Sequence, residues 1–334
     1  MCHDFLGQFF EKYRDPWRPP FLVGLYKRPE ENSQAKRPEN LNGETAHQGW
    51  YRPLFPLRII IPKQKQTQWW PMCGRFTLTL NGSLLAALFG METPLDWLPR
   101  HNIAPCQKVL AIRQPLESGK KVNEAAHLRW GLVPWWAKDN KSASRMINAR
   151  SETAREKPSF RALVNTRRCL IPADGFYEWK TEGGTKRPFW FSFPKRRPFV
   201  FAGLWERPNR EISKGQPGDG PTEDSQPILA TCTILTTPSQ GWLQEYHDRM
   251  PVILEEGDWA AWLDTSQSVD PVWNRVIGAF PGKEMTPLAV STLVNRVAEE
   301  GPELLAPWST EGDPLPIRPK SKPKTWLDQP GLFD

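Results

Sequence analysis

Short apolar segments separated by turn-forming residues follow one another through residues 72–306. Residues 75–79 alternate in the manner of a strand, whereas residues 84–89 have the spacing of a helix. Three further apolar runs have the length of buried strands: residues 109–113, 199–204 and 230–236. Residues 256–263 predict another helix. Because no change in composition divides this region, we expect a single domain of the α+β class.

The two ends of the chain differ from this central region. Residues 1–71 keep no sustained apolar period and end in the polar run KQKQTQ, so we interpret them as disordered or as a spurious extension that precedes the functional start. The Pro-rich residues 307–334 predict a loosely ordered tail. Residues 208–226 are dense in Gly, Pro, Asp and Ser and predict a flexible surface loop.

Charge, apolar run length and cysteine spacing limit the classes of protein to which the chain can belong. The formal charge is +7, but eleven Lys and Arg and seven Asp and Glu precede Met72, so residues 72–334 carry only about +3. This charge is weak evidence for nucleic-acid binding. No apolar run is long enough to span a bilayer, which predicts a cytoplasmic protein. The five cysteines form no CxxC pair, so we expect no disulfide framework, no metal site and no cofactor. The seventeen tryptophans serve the core or stack on unpaired bases.

The first candidate for chemistry is Cys73, in the run MCGRF at residues 72–76. If Met72 initiates the chain and is removed, Cys73 carries a free α-amine beside its thiol. Such a pair condenses with an aldehyde to a thiazolidine, whereas a cysteine inside the chain has only an amide nitrogen. A cysteine followed by glycine is nevertheless more often structural, so the motif alone leaves both interpretations open.

Two further candidates are a carboxylate and an imidazole. Glu178 lies between Tyr177 and Trp179, and a carboxyl among aromatic rings suits proton transfer near neutral pH; the alternative is a surface carboxylate on a strand. Asp174-Gly175, shortly before it, predicts a tight turn. His247 lies in a polar loop between apolar segments, where it is either a proton-transfer group or an exposed histidine without a role.

Six motifs in order together resemble the SOS-response-associated peptidase family, whose members process abasic sites. They are MCGRF at 72–76, RWGLVPWW at 129–136, NARSET at 148–153, KPSFR at 157–161, RCLIPADGFYEW at 168–179 and HDRMP at 247–251. The resemblance covers about residues 72–306. It implies a compact domain with barrel-like antiparallel sheets flanked by helices, acting as a monomer on single-stranded DNA that contains abasic sites.

The same resemblance assigns a role to each site residue. It implies that Cys73 crosslinks the DNA, that Asn148 orients the amine of Cys73, and that Glu178 is the acid/base of imine formation. It implies that His247 assists opening of the sugar and reversal of the bond. The implied DNA contacts are Arg75, Arg150 and Arg249 on phosphates, Thr236 close to the site, and Trp135 or Trp136 stacked on a base.

One departure from the family pattern concerns the start of the chain, since the family's cysteine directly follows the initiator Met. Either the start is assigned too early, or the protein cleaves its own leader at Met72-Cys73, or this member does not crosslink. Three functions therefore stay open. They are covalent capture of abasic sites with associated lyase-like chemistry, a cysteine peptidase acting on its own leader or on other proteins, and a non-catalytic module that binds single-stranded DNA.

Overall fold

The computed structural model of the chain describes residues 74–115, 123–209 and 230–309. Its strands are β1 (Phe76–Leu78), β2 (Arg100–Ile103), β3 (Lys108–Arg113), β4 (Glu124–Trp130), β5 (Asn148–Arg150), β6 (Arg168–Ala173), β7 (Gly175–Glu182), β8 (Thr185–Ser192), β9 (Phe199–Glu206), β10 (Thr231–Pro238), β11 (Arg249–Pro251), β12 (Ile253–Leu254) and β13 (Thr286–Ala289). The α-helices are α1 (Gly82–Leu88), α2 (Ser151–Ala154), α3 (Arg161–Thr166), α4 (Glu256–Leu263) and α5 (Asp270–Val276). Short 3₁₀ helices cover Ala143–Arg145, Pro194–Arg196, Gly241–Glu245, Pro281–Glu284, Thr292–Asn295 and Pro302–Leu305.

Most of the elements predicted from periodicity are present. The helix predicted at 256–263 has those bounds in α4, and the helix predicted at 84–89 begins slightly earlier because the Asn81 side chain caps it by accepting a hydrogen bond from Leu84 N. The strands predicted around 109, 199 and 230 are β3, β9 and β10. The extension 1–71, most of the loop 208–226 and most of the tail 307–334 lie outside the described residues.

Five strands close into a barrel, which confirms the expected α+β class with barrel-like sheets. Antiparallel pairs run from β4 to β3, β6 and β9, and β10 then bonds to β9 on one side and to β4 on the other. Cys232 of β10 is therefore the Cα partner of both Trp130 and Trp205. The β10–β4 pair is parallel, which departs from the antiparallel expectation. β5 and β11 extend β10, and β12 extends β9.

The second sheet is antiparallel throughout, in the order β13-β8-β7-β1-β2. Aromatic rings pack between it and the barrel. Phe76 of β1 lies 5.3 Å from Trp130 of the barrel and 5.6 Å from Phe201, measured between ring centroids. Apolar burial of this size stabilises the two sheets as one core. β1 is buried along its whole length rather than on alternate residues, because both of its faces are covered.

The predicted tight turn at Asp174-Gly175 requires a correction. β6 belongs to the barrel and β7 to the second sheet, so these residues carry the chain from one sheet to the other and close no hairpin. Asp174 is fully buried and accepts hydrogen bonds from Thr77 Oγ1 at 2.6 Å and Thr79 N at 2.9 Å. Gly175 is required by close packing, since a Cβ there would lie 2.1 Å from Trp190 Nε1.

No helix in the parts of the chain that the structure describes is both long enough and apolar enough to cross a bilayer.

Candidate active site

The pairing of β1 with β7 brings the start of the domain beside Glu178. Phe76 is the Cα partner of Phe176, and Tyr177 N donates to Arg75 O at 3.0 Å. The same register, continued by two residues, sets Gly74 opposite Glu178. Cys73 itself lies outside the described residues, but Gly74, which follows it, is buried. The residue next to the predicted nucleophile and the predicted acid/base are therefore neighbours on adjacent strands.

Glu178 is 4% exposed, so the alternative of a surface carboxylate is wrong. Strand alternation puts its side chain on the same face of the sheet as Phe176, whose ring packs towards the barrel near Phe201. Tyr177 and Trp179 occupy the opposite face. The aromatic neighbour across the strand pair is Phe189, its Cα partner on β8. Burial of a carboxylate at this position suits a group that exchanges protons with a reactant.

The C-terminal half of β10 gathers most of the other predicted residues. Asn148 of β5 is the partner of Ile234, and Arg150 is the partner of Thr236. The indole of Trp130, which touches Phe76 of β1, donates its Nε1 proton to Ile147 O at 2.9 Å. These contacts connect the segment that carries Asn148 to the strand that follows Cys73.

His247 precedes β11, which pairs with the end of β10. Its Nδ1 accepts the main-chain N–H of Arg249 at 3.1 Å and also lies 2.7 Å from Asp248 Oδ1. Both groups that contact Nδ1 belong to the residues that directly follow His247 in the chain, so they orient the imidazole ring.

Tyr246 joins the histidine loop to the second sheet. Its ring centroid lies 4.9 Å from that of Phe189, the cross-strand partner of Glu178, and 4.8 Å from the ammonium of Lys180. Lys180 shares the face of β7 with Glu178, two residues away. These contacts bring the loop of His247 and the strand of Glu178 to one side of the molecule. Sequence reasoning missed both Tyr246 and Lys180, because nothing local to either marks a contact across β7, β8 and this loop.

Arg249 is buried and its guanidinium is hydrogen-bonded to Glu152 and Thr236. Nη1 and Nη2 donate to Glu152 Oε1 and Oε2 at 2.6 and 2.8 Å, and Nη2 also donates to Thr236 O at 2.8 Å. The hydrogen bonds from Arg249 lower the pKa of Glu152 to about 2. Thr236 is fully buried. Glu152 lies inside the NARSET motif, and its spacing from Arg150 is the one local signal in the sequence for its position beside Arg249.

Arg75 lies on the other face of its sheet, away from this group. Its guanidinium donates to Asn102 Oδ1 at 2.7 Å and to Val294 O at 2.6 Å. Asn102 in turn donates to the carbonyls of Arg296 and Glu299 at 2.9 Å each. Burial lowers the pKa of Arg75. The structure therefore does not bring Arg75 together with the other site residues, and its phosphate contact stays a prediction.

Trp135 and Trp136 are the most exposed of the described tryptophans in the barrel loops, at 65% and 51%. They follow residues 131–134, which are buried and hold the loop against the barrel. Arg150 is exposed as well. Exposed indole rings and a guanidinium are the groups that stack on unpaired bases and bind phosphates.

The class of protein is thus one in which a small five-stranded barrel packs against a second sheet and the carboxylate of Glu178 is buried. The family model described as SOS response associated peptidase (SRAP) matches residues 72–297, and the chain belongs to that family. It is 38% identical over 238 residues to the abasic site processing protein YoqW of Bacillus subtilis (strain 168), covering 70% of this chain and 99% of that protein. It is 30% identical over 247 residues to the abasic site processing protein YedK of Escherichia coli (strain K12), covering 71% and 100%. It is 30% identical over 299 residues to the abasic site processing protein HMCES of Gallus gallus, covering 77% and 83%.

Solved structures support the fold. A crystal structure of a protein from Bacteroides thetaiotaomicron aligns with a TM-score of 0.57 at 22% identity, covering 71% of this chain and all of that one. A second, from Bordetella bronchiseptica, aligns with a TM-score of 0.51 at 27% identity, covering 66% of this chain and all of that one.

Proposed function

We propose that this protein captures abasic sites in single-stranded DNA by forming a thiazolidine between Cys73 and the aldehyde of the base-less sugar. Relatives at 30–38% identity are named abasic site processing proteins. The observation that carries the proposal is the burial of Glu178 opposite Gly74, since a shielded carboxylate beside the residue after Cys73 is suited to proton transfer at that terminus.

The proposed chemistry balances with the groups that Cys73 and an aldehyde supply. The α-amine adds to the aldehyde carbon and one water leaves, which gives an imine. The thiolate then attacks the imine carbon and the nitrogen takes up a proton, so a ring with one new C–N and one new C–S bond results. Glu178 supplies and accepts the protons of these steps. Asn148 orients the amine, and His247 assists opening of the sugar and reversal of the bond.

DNA contacts complete the proposal. Arg150 is exposed and suits a direct phosphate contact. Arg75 is 8% exposed and would act mainly through its charge, whereas Arg249, which is equally buried, is paired with Glu152 and would meet a phosphate as part of that ion pair. Thr236 holds Arg249, and Trp135 or Trp136 stacks on a base beside the lesion. We propose that the protein acts as a monomer in the cytoplasm, without a cofactor. The imine also permits elimination of the 3′ phosphate, which would give lyase-like products.

A cysteine peptidase is the second candidate, favoured by the family description. It would use Cys73 on its own leader or on other proteins. The two functions differ in what they need, because capture requires a free α-amine and an aldehyde-bearing strand, whereas peptide hydrolysis requires no DNA. A module that only binds single-stranded DNA would form a salt-sensitive complex and no covalent adduct.

The test is a denaturing gel with a single-stranded oligonucleotide that contains one abasic site. A chain that begins at Met72 should lose that Met and form an adduct, and Cys73→Ala should abolish the adduct while weak DNA binding remains. Cys169→Ala is the matched control, because burial raises the pKa of the Cys169 thiol to about 12 and makes it a poor nucleophile. An undiminished adduct in Cys73→Ala would refute the mechanism.

A longer chain with an uncleavable Met72-Cys73 junction gives a second control. Its amide nitrogen cannot form an imine, so it should give no adduct. Intact-mass spectrometry that finds residues 1–71 still attached in a denaturation-stable adduct would contradict both the thiazolidine and the functional start at Met72.

A further inference from the structure

Arg249 is the most fully engaged cation among the predicted DNA contacts. Besides the two bonds to Glu152 and the bond to Thr236 O, its Nε donates to Thr236 Oγ1 at 3.3 Å. All three guanidinium nitrogens therefore have acceptors inside the protein. A phosphate that approaches Arg249 meets the Glu152 carboxylate, which carries charge of the same sign and already holds Arg249 in the bidentate position.

Glu152 is the outer member of this pair. Its side chain is 45% exposed, whereas that of Arg249 is 8% exposed. Glu152 lies in the first turn of α2, two residues beyond Arg150, whose Cα partner is Thr236. The ion pair consequently connects the segment of Asn148 and Arg150 with the segment of His247 and Arg249. The low pKa of Glu152 keeps its carboxylate ionised at neutral pH.

The main chain of Arg249 reaches the imidazole of His247. Its N–H donates to Nδ1 at 3.1 Å, so the position of residue 249 orients the imidazole ring and sets the direction in which Nε2 points. A side chain that fixes Arg249 in place thus also fixes the imidazole. A misplacement of about 1 Å in such a group is enough to slow a reaction by roughly 100-fold.

We propose that Glu152 is a positioning residue that holds Arg249 and, through it, His247, and that it lowers affinity for undamaged DNA by neutralising the charge of Arg249. The proposal rests on the proposed function for its kinetic part only. The carboxylate of Glu152 would then have two effects. It positions Arg249 and His247, which favours the reaction, and its negative charge opposes the binding of phosphate.

Two substitutions separate the effects, with crosslinking to an abasic strand and binding to the same strand without the lesion as readouts. Glu152→Ala removes charge and geometry together, so it should bind undamaged single-stranded DNA roughly threefold to tenfold more tightly, with a salt slope steeper by about 0.7. Its crosslinking rate at saturating DNA should fall roughly tenfold. Glu152→Gln removes the charge but keeps an acceptor for Arg249, so it should show the tighter binding and retain most of the rate.

Glu156→Gln is the matched control, because Glu156 is an exposed carboxylate four residues away in the same segment and should change neither readout by more than about twofold. Thermal unfolding of each variant shows whether the fold is intact. If Glu152→Ala lowers binding and crosslinking together, or changes neither, the proposal is overturned. The binding arm needs no adduct, so a wild-type protein that forms none would refute the proposed function and leave the charge effect of Glu152 measurable.

Discussion

Arg75 and Arg249 are equally buried, at 8% exposed each, but different acceptors hold them. Arg249 is bound by a carboxylate that neutralises it, whereas Arg75 donates to an amide oxygen and to main-chain carbonyls. Main-chain carbonyls satisfy the hydrogen bonds of a guanidinium without cancelling its charge. Two arginines from motifs of one family thus have different structural partners. Arg249 fixes a segment of the site, and Arg75 fastens Thr292–Asn295 to the second sheet.

Strand alternation explains where Arg75 lies. Gly74, Phe76 and Glu178 share one face of the second sheet, and Arg75 and Tyr177 share the other, where Tyr177 packs with Val290 and Val294. Consecutive residues of one motif therefore point to opposite faces, one towards the residues proposed to carry the chemistry and one towards residues that support the second sheet. The comparison predicts that substitutions on the first face affect the reaction, and that substitutions on the second affect the fold.

The largest effect is expected for Glu178→Gln on the first face. Gln retains the shape but cannot transfer protons, so the crosslinking rate should fall by about 100-fold or more while the melting temperature changes little. Single-turnover gels at several pH values measure the rate. A normal rate in this variant would show that another group supplies the protons and would break the division between the two faces.

The sequence predicts many of the elements and the alternation of residues between the two faces, but not what covers each face. The periodicity of residues 256–263 and the apolar runs predicted α4 and the barrel strands, because those signals are local. The opposite faces of Arg75 and Phe76 follow from a period of 2. What covers each face depends on pairings between distant residues, such as Asn102 with Arg296 and Glu299. No local pattern specifies those pairings, so Arg75 and Arg249 looked equivalent.

The second prediction compares Arg75→Ala with Arg150→Ala. Loss of Arg75 removes charge-assisted hydrogen bonds and leaves buried acceptors unpaired, which should lower the free energy of unfolding by about 3 kcal/mol. Arg150 is exposed, so its loss should leave stability within about 0.5 kcal/mol and weaken binding of single-stranded DNA by about 1 to 3 kcal/mol. Urea titration and binding at several salt concentrations measure the two quantities.

The contrast between Arg75 and Arg150 would be wrong if Arg75→Ala affected DNA binding and not stability. An Arg75→Ala variant that is as stable as the wild type but binds DNA weakly, with a flatter salt slope, would assign Arg75 to phosphate and remove the supporting role drawn from its hydrogen bonds.

The smallest expected effect is the pH dependence of stability, which should differ between the Glu152–Arg249 ion pair and the hydrogen bonds of Arg75 to neutral oxygens. The pKa of Glu152 is about 2 in the fold, below its ordinary value of 4.5, so its contribution to stability is present above pH 4.5 and is lost as pH falls towards 2. Because the side chain is 45% exposed, the contribution should be less than about 1 kcal/mol. The cost of Glu152→Gln in urea unfolding should therefore shrink between pH 6 and pH 3. The cost of Arg75→Ala should stay constant over that range, since the hydrogen-bond acceptors of Arg75 are neutral oxygens that do not titrate. A Glu152→Gln cost that is unchanged at pH 3 would mean that the carboxylate acts through its shape and not through its charge on Arg249.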